Sequence, residues 1–275
     1  MKRFRLWCTS RRRISLAFAS FSWLVSAPAF ALSNITVMAD ENVSLMVAKL
    51  ARDYARVHKV AVVTSFLSKD EQAGQILEGS AADVLITSDG KWLADLQLQG
   101  LVDIYSKQEF AFGRIALIGP PNSTLALTLR ENFAVAPIIQ AIGYEPMLYL
   151  GSPDTIAEGK YAKQALRNLG VSNALEPYIL YLKSTDEMIE QVMRHDAYSI
   201  ISYGRALLLE DAKIIDVFPE ASHAPMPYYA VAIAGDNMDD ARDFIKFLKS
   251  PSARNSITRS GLMASVPEVP LPANR

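Results

Sequence analysis

The chain has 275 residues, half of them hydrophobic and 21% charged, with a formal net charge of −1 at pH 7. That length holds one large domain or two modest ones, and the apolar content supports a sizeable core. A charge this close to zero, and acidic once the basic start is set aside, excludes nucleic acid and an anionic membrane surface as partners.

The first 31 residues differ from the rest. Lys2, Arg3, Arg5, Arg11, Arg12 and Arg13 form a basic start, residues 14–27 are apolar, and Ala29 and Ala31 fit an A-x-A cleavage site. The pattern predicts a secretory signal peptide over 1–31, cleaved after Ala31, with the general and twin-arginine routes both open. Its apolar run is too short to span a bilayer, so no membrane insertion is expected after cleavage. The segment carries six of the 28 Lys/Arg and none of the 29 Asp/Glu, leaving a formal charge of −7 on the remainder. Cys8, the one cysteine, departs with it, which excludes disulfides and thiolate metal sites downstream. The expectation is an exported, acidic, periplasmic protein.

From residue 35 strands and helices alternate. "ITVM" (35–38) predicts a strand, and Val43, Met46, Val47, Leu50, Ala51 and Tyr54 mark one face of a helix over 43–57. A β-branched run predicts a strand over 60–66. Ser68 with Glu71 three residues later predicts a capping box, and Gly79 the stop of that helix. A strand over 82–88 and a short helix ending at Gly100 follow. After residue 112 come a strand in "GRIALIG" and a patternless region over 125–143. Next are a strand over 147–150, a helix over 157–169 closed by Gly170, and a helix capped by Ser184 with Glu187. Strands are predicted over 197–204, ending at Tyr203 and Gly204, over 212–220 and over 227–235. One helix over 238–261 and a Pro-rich tail complete the chain.

Such alternation implies parallel sheets covered by helices. The change of pattern near residue 112 divides the chain into lobe I, residues 32–113 with 226–275, and lobe II, residues 114–225. Two lobes joined by two crossings form a hinged clamp with a ligand cleft.

Nothing in the sequence frames catalysis. His58, His195 and His223 lack metal-ligand spacing and are expected to be solvated surface residues. No nucleophile elbow or phosphate loop is present. Asp186–Glu187 and Asp239–Asp240 stand at helix starts, where acids oppose the positive end of the dipole. A non-enzyme without cofactor or resident metal is expected.

Several phrases, in this order and spacing, resemble the periplasmic molybdate-binding proteins, receptors of molybdate ABC transporters. They are "ITVM" with its helix, "ADVLITSDGKWLADL", "GSPDTIAEGKYAKQALRNLG", "ISYGRALL", "FPEASHAPMPYYAVAIAG" and "FIKFLKSPSARNSITRSGL". The resemblance implies an α/β, two-lobed type II periplasmic binding fold. Each lobe would be a mixed, mostly parallel sheet flanked by helices, with hinges near 113–114 and 221–227. It also implies a small-molecule or oxyanion ligand, an ABC permease as partner, and a monomer.

Such proteins hold a dianion with uncharged donors, and the resemblance places their ligand positions here. Tyr203 matches the tyrosine, and Asn42 falls on the first-loop serine. Lys69, beside Ser68, falls on the second-loop serine, while Glu158 and Thr185 fall on the two main-chain donors. Asp40 and Glu41 are added acids, set with Glu158 against Lys69. At about 4 Å and an effective dielectric near 20, each like-charge contact costs on the order of 4 kcal/mol. Three readings follow: a molybdate or tungstate receptor, a receptor for a zwitterionic, cationic or polar organic solute, and an envelope interaction or sensor protein. The plain structural alternatives are an N-cap role for Asp40, a solvent-facing Glu41 and a Lys69–Glu158 pair.

Overall fold

The computed structural model describes residues 34–79, 82–142, 148–154 and 156–264; the segment expected to be a signal peptide, Cys8, Met147 and the Pro-rich tail lie outside the described residues. The chain begins β1 (Asn34–Asp40), α1 (Ser44–His58), β2 (Ala61–Leu67), α2 (Lys69–Leu77), β3 (Val84–Thr87), α3 (Gly90–Leu98) and β4 (Val102–Gly113). It continues through β5 (Ile115–Gly119), α4 (Ala136–Ile142), β6 (Leu148–Gly151), α5 (Ala157–Asn168), α6 (Ser172–Leu175) and β7 (Ile179–Leu182). Then come α7 (Thr185–His195), β8 (Tyr198–Ser202), α8 (Tyr203–Ala206) and β9 (Lys213–Val217). The last elements are β10 (Met226–Ile233), α9 (Met238–Phe247) and α10 (Pro251–Arg259).

Two five-stranded mixed sheets result, one per lobe. The first has the order β2-β1-β3-β10-β4, with β1 parallel to β2 and β3 and with β10 antiparallel to both its neighbours. The second has the order β7-β6-β8-β5-β9, with β6 parallel to β7 and β8 and with β5 antiparallel to β8 and β9. The same arrangement therefore occurs twice. In each sheet, parallel strands run into helices at their carboxyl ends, which is where α/β sheets place ligands.

The local reasons were visible in the sequence. All six apolar residues assigned to the face of α1 are buried, with Val43 and Met46 each 1% exposed. The capping box of α2 forms on both sides, and Gly79 beyond its end has φ of 80°. Gly170 closes α5 with φ of 77°, a conformation that costs a side-chain-bearing residue energy. Asp53 of α1 accepts from the Ser256 hydroxyl of α10 at 2.9 Å, which ties the C-terminal helix to the first lobe. Tyr54 packs edge-on against Phe244 and Phe247 at the same junction.

Three expectations need correction, and one strand was not expected. The helix over 238–261 is two helices, because Pro251 has no N–H to continue α9 and instead occupies the first turn of α10, capped by Ser250. Tyr203 does not end a strand; it starts α8, since the Ser202 hydroxyl accepts from Arg205 N–H and turns the chain. Residues 102–113 form the long strand β4, hidden in the sequence because its middle is polar and lies at a sheet edge. His223 is buried, its Nδ1 lying 2.7 Å from the Ala224 carbonyl oxygen, whereas His58 is exposed and stacks on Tyr54. Burial holds the His223 ring below its ordinary pKa, and nearby Arg114 adds to the effect.

No helix among the described residues is long and apolar enough to cross a membrane.

Candidate functional site

The carboxyl ends of the parallel strands from both sheets open onto one cleft of about 350 Å³. The first lobe contributes Asp40, Glu41 and Asn42 after β1, Ser68, Lys69 and Asp70 after β2, and Thr87, Ser88 and Asp89 after β3. Across from them stand Ala157 and Glu158 at the start of α5, Lys183 to Asp186 at the start of α7, and Arg205 in α8. The lining holds six acids (Asp40, Glu41, Asp70, Asp89, Glu158, Asp186) against three bases (Lys69, Lys183, Arg205).

Two of those carboxylates are withdrawn from solvent, Glu158 buried and Asp40 half-buried. Asp40 accepts from the Ser88 main-chain N–H at 2.8 Å, from the Ser88 hydroxyl at 3.1 Å and from Gln72 Nε2 at 3.2 Å. Burial still pushes its carboxyl above the ordinary carboxylate value, because these bonds offset only part of the desolvation. Glu158 is 6% exposed and accepts from Asn42 Nδ2 at 2.7 Å, from one lobe to the other. Burial pushes Glu158 up as well, and the Asp40 charge pushes it further, against the pull of its own main-chain N–H and Asn42. Below them the fully buried Tyr228 phenol is pushed well up by burial and then by the charges of Glu158 and Asp40.

Two of the three bases are paired with acids of the same lining. Lys69 Nζ lies 2.6 Å from Asp89, within its own lobe. Burial raises the Asp89 carboxyl, but the bonds from Lys69, Trp92 N–H and Lys91 N–H prevail and hold it below the ordinary value. Arg205 reaches Asp186 at 2.9 Å and Glu41 of the other lobe at 3.5 Å. Lys183 is exposed at the rim.

The structure brings Asn42, Ser68, Lys69, Glu158 and Thr185 to the cleft, together with Asp40 and Glu41. Tyr203 is not among the lining residues; its ring lies beside Arg114, and a Cβ at Gly261 would come within 2.5 Å of it. Asp40 makes no N-cap bond, Glu41 is engaged by Arg205, and Lys69 pairs with Asp89 and not with Glu158. The Ser68 hydroxyl is held by Glu71. Sequence reasoning missed Ser88 and Asp89, which stand at the carboxyl end of the third parallel strand, and that position is itself a signal. It also missed Arg205, whose role depends on the α8 turn. Among the described residues no three His, Cys, Asp or Glu are grouped to hold a metal ion.

A family model for bacterial extracellular solute-binding proteins matches residues 35–263, nearly the whole of the two lobes. The chain belongs to that family. Within it, this solute-binding protein is 28% identical over 251 residues to the molybdate-binding protein ModA of Haemophilus influenzae, spanning 90% of this chain and 95% of that one. ModA of Escherichia coli is 27% identical over 249 residues, spanning 89% and 95%. The solved periplasmic molybdate-binding protein of Azotobacter vinelandii superposes with a TM-score of 0.63 at 21% identity, over 84% of this chain and 99% of that one. These likenesses carry the two-lobed fold.

Proposed function

We propose that this solute-binding protein is the receptor of an ABC-type uptake system, capturing one small solute between its lobes and presenting it to a membrane permease. It is exported by the segment over 1–31, cleaved after Ala31, and works in the periplasm as a monomer without catalysing a reaction. Lobe I is residues 32–113 with 226–275, lobe II is residues 114–225, and the hinge lies at the two crossings between them. The ligand carries positive charge or several hydrogen-bond donors, as a zwitterionic, cationic or polar organic solute does.

One observation carries the ligand class: the carboxylates of Asp40 and Glu158 line one cleft from opposite lobes, close enough for the Asp40 charge to raise Glu158, while Lys69 and Arg205 are bound to other acids. A donor-bearing ligand relieves that desolvation, whereas a dianion adds to the repulsion. The oxyanion reading remains the second one. It is supported by the molybdate-binding relatives and by the starts of α2, α5 and α7 at the cleft, since helix N-termini favour anions.

Thermal melts and calorimetry on the mature chain test both readings. Amino acids, polyamines and quaternary amines are set against molybdate and tungstate, each at millimolar concentration. A bound amine raises the melting temperature in proportion to concentration over Kd. Micromolar molybdate binding without any amine response would replace the first reading with the second.

A further inference from the structure

The start of α5 is built as an anion seat, and the chain fills it with its own side chain. Ile156, at the N-cap of α5, makes no side-chain cap bond; its carbonyl accepts from Gly159 N–H at 3.1 Å, and the N–H groups before Gly159 have no cap hydroxyl to serve them. Glu158 stands second in that helix. Its carboxylate folds back to its own main-chain N–H and accepts from Asn42 Nδ2 at 2.7 Å. A carboxylate held by a helix N-terminus and a neutral amide has the environment that protein sites give a bound oxyanion. The seat is rigid. A Cβ on Gly159 would fall 1.9 Å from the Gly151 carbonyl oxygen, so the first turn of α5 is packed directly onto the end of β6. Asn42 is equally fixed, with its carbonyl oxygen 2.2 Å from where a Gly204 Cβ would stand.

We infer that Glu158 is the specificity-determining residue of the cleft: its carboxylate occupies the seat that a free oxyanion would take, and so bars oxyanions from this protein. The inference rests on the cleft being the ligand site, and it makes Glu158 serve two ends. It satisfies the helix start without a ligand, and it turns the seat from an attractor of anions into a fixed negative group facing any cationic solute. Charge and occupancy make separable contributions. Glutamine keeps the volume and the acceptor for Asn42 but removes the charge, whereas alanine empties the seat.

The test is calorimetric titration of molybdate, tungstate and sulfate into wild type, Glu158→Gln and Glu158→Ala. Glu158→Ser is a second emptied-seat variant, and folding of each is checked by circular dichroism. Wild type and Glu158→Gln are expected to give no heat at millimolar oxyanion. Glu158→Ala or Glu158→Ser is expected to bind at least about 100-fold more tightly than wild type, equivalent to about 2.7 kcal/mol. Wild-type binding as tight as that of the emptied variants would overturn the inference. So would folded alanine and serine variants that bind no oxyanion, or a glutamine variant that binds as tightly as alanine, because repulsion alone would then explain exclusion. Oxyanion binding by Glu158→Ala beside a wild type that ignores every amine would leave the inference standing and remove the cationic-solute reading. An amine-binding wild type with an inert Glu158→Ala would do the reverse.

Discussion

Gly204 of the second lobe lies against the Asn42 carbonyl of the first, so closely that an added Cβ would stand 2.2 Å from that oxygen. The obstacle is main chain on a strand-to-helix turn and cannot swing aside as a long side chain would. Gly204→Val therefore wedges the lobes apart at the point where Asn42 also reaches Glu158. Faster hydrogen exchange is expected at the amides of 41–44 and 157–160, with protection kept in the strands of both sheets. A folded variant whose cleft amides exchange at the wild-type rate would show that this contact does not hold the lobes together.

A second glycine is constrained within one lobe. At Gly159 a Cβ would fall 1.9 Å from the Gly151 carbonyl oxygen, again main chain, between α5 and β6. Overpacking of this kind costs about 3 kcal/mol. For a domain of this size that is a drop of roughly 10 °C in melting temperature for Gly159→Ala. The same substitution at Gly74, where no atom lies within 4 Å of the added Cβ, should leave stability unchanged or improve it. Equal melting of the two variants would refute the packing argument.

The contrast between these glycines bears on what a sequence discloses. Periodicity placed α1, α2 and α5 because their buried faces and caps are local, set by residues three or four apart. Val43, Met46 and Leu50 needed no tertiary knowledge. The edge strand β4 escaped because a half-exposed, polar strand has no strong period. The Asn42–Glu158 bond joins residues 116 positions apart, so only the fold could reveal it. The presence of acids at the cleft was legible from matching phrases, but their partners were not. Lys69 chose Asp89 over Glu158 because both stand in the first lobe, at the carboxyl ends of β2 and β3, the two strands that flank β1.

The two acids withdrawn from solvent fix the direction of the pH response. Asp40 and Glu158 have folded values raised above the ordinary 3.8 and 4.5, chiefly by burial. Between the ordinary and the raised value the folded chain binds more protons than the unfolded one, so stability falls as pH rises through that window. Melting temperature should thus increase as pH is lowered through the raised values toward the ordinary 4.5 and 3.8. It should then decline in stronger acid, where Asp53 and Asp89, both held below 3.8, lose their ion pairs. Glu158→Gln should melt higher than wild type at pH 7.5, and the difference should vanish below pH 4.5. A difference that persists unchanged to pH 4 would mean that the gain does not come from removing a buried charge.

Ser68 lines the cleft, yet its hydroxyl is engaged within its own helix. It donates to Glu71 Oε2 at 2.8 Å and accepts from Glu71 N–H at 3.4 Å, while the Ser68 N–H donates to the same carboxylate at 2.9 Å. These bonds hold the Glu71 carboxyl below its ordinary value. A hydroxyl so committed serves the helix before any ligand. Ser68→Ala is therefore expected to lower the melting temperature by roughly 3 °C, the usual effect of losing an N-cap in a domain of this size. Affinity for the cleft ligand should change by less than about threefold, because a solute gains little from a hydroxyl already spent on Glu71. Thermal melts and calorimetry on one variant separate the roles: a tenfold loss of affinity at unchanged stability would make Ser68 a ligand contact instead of a cap.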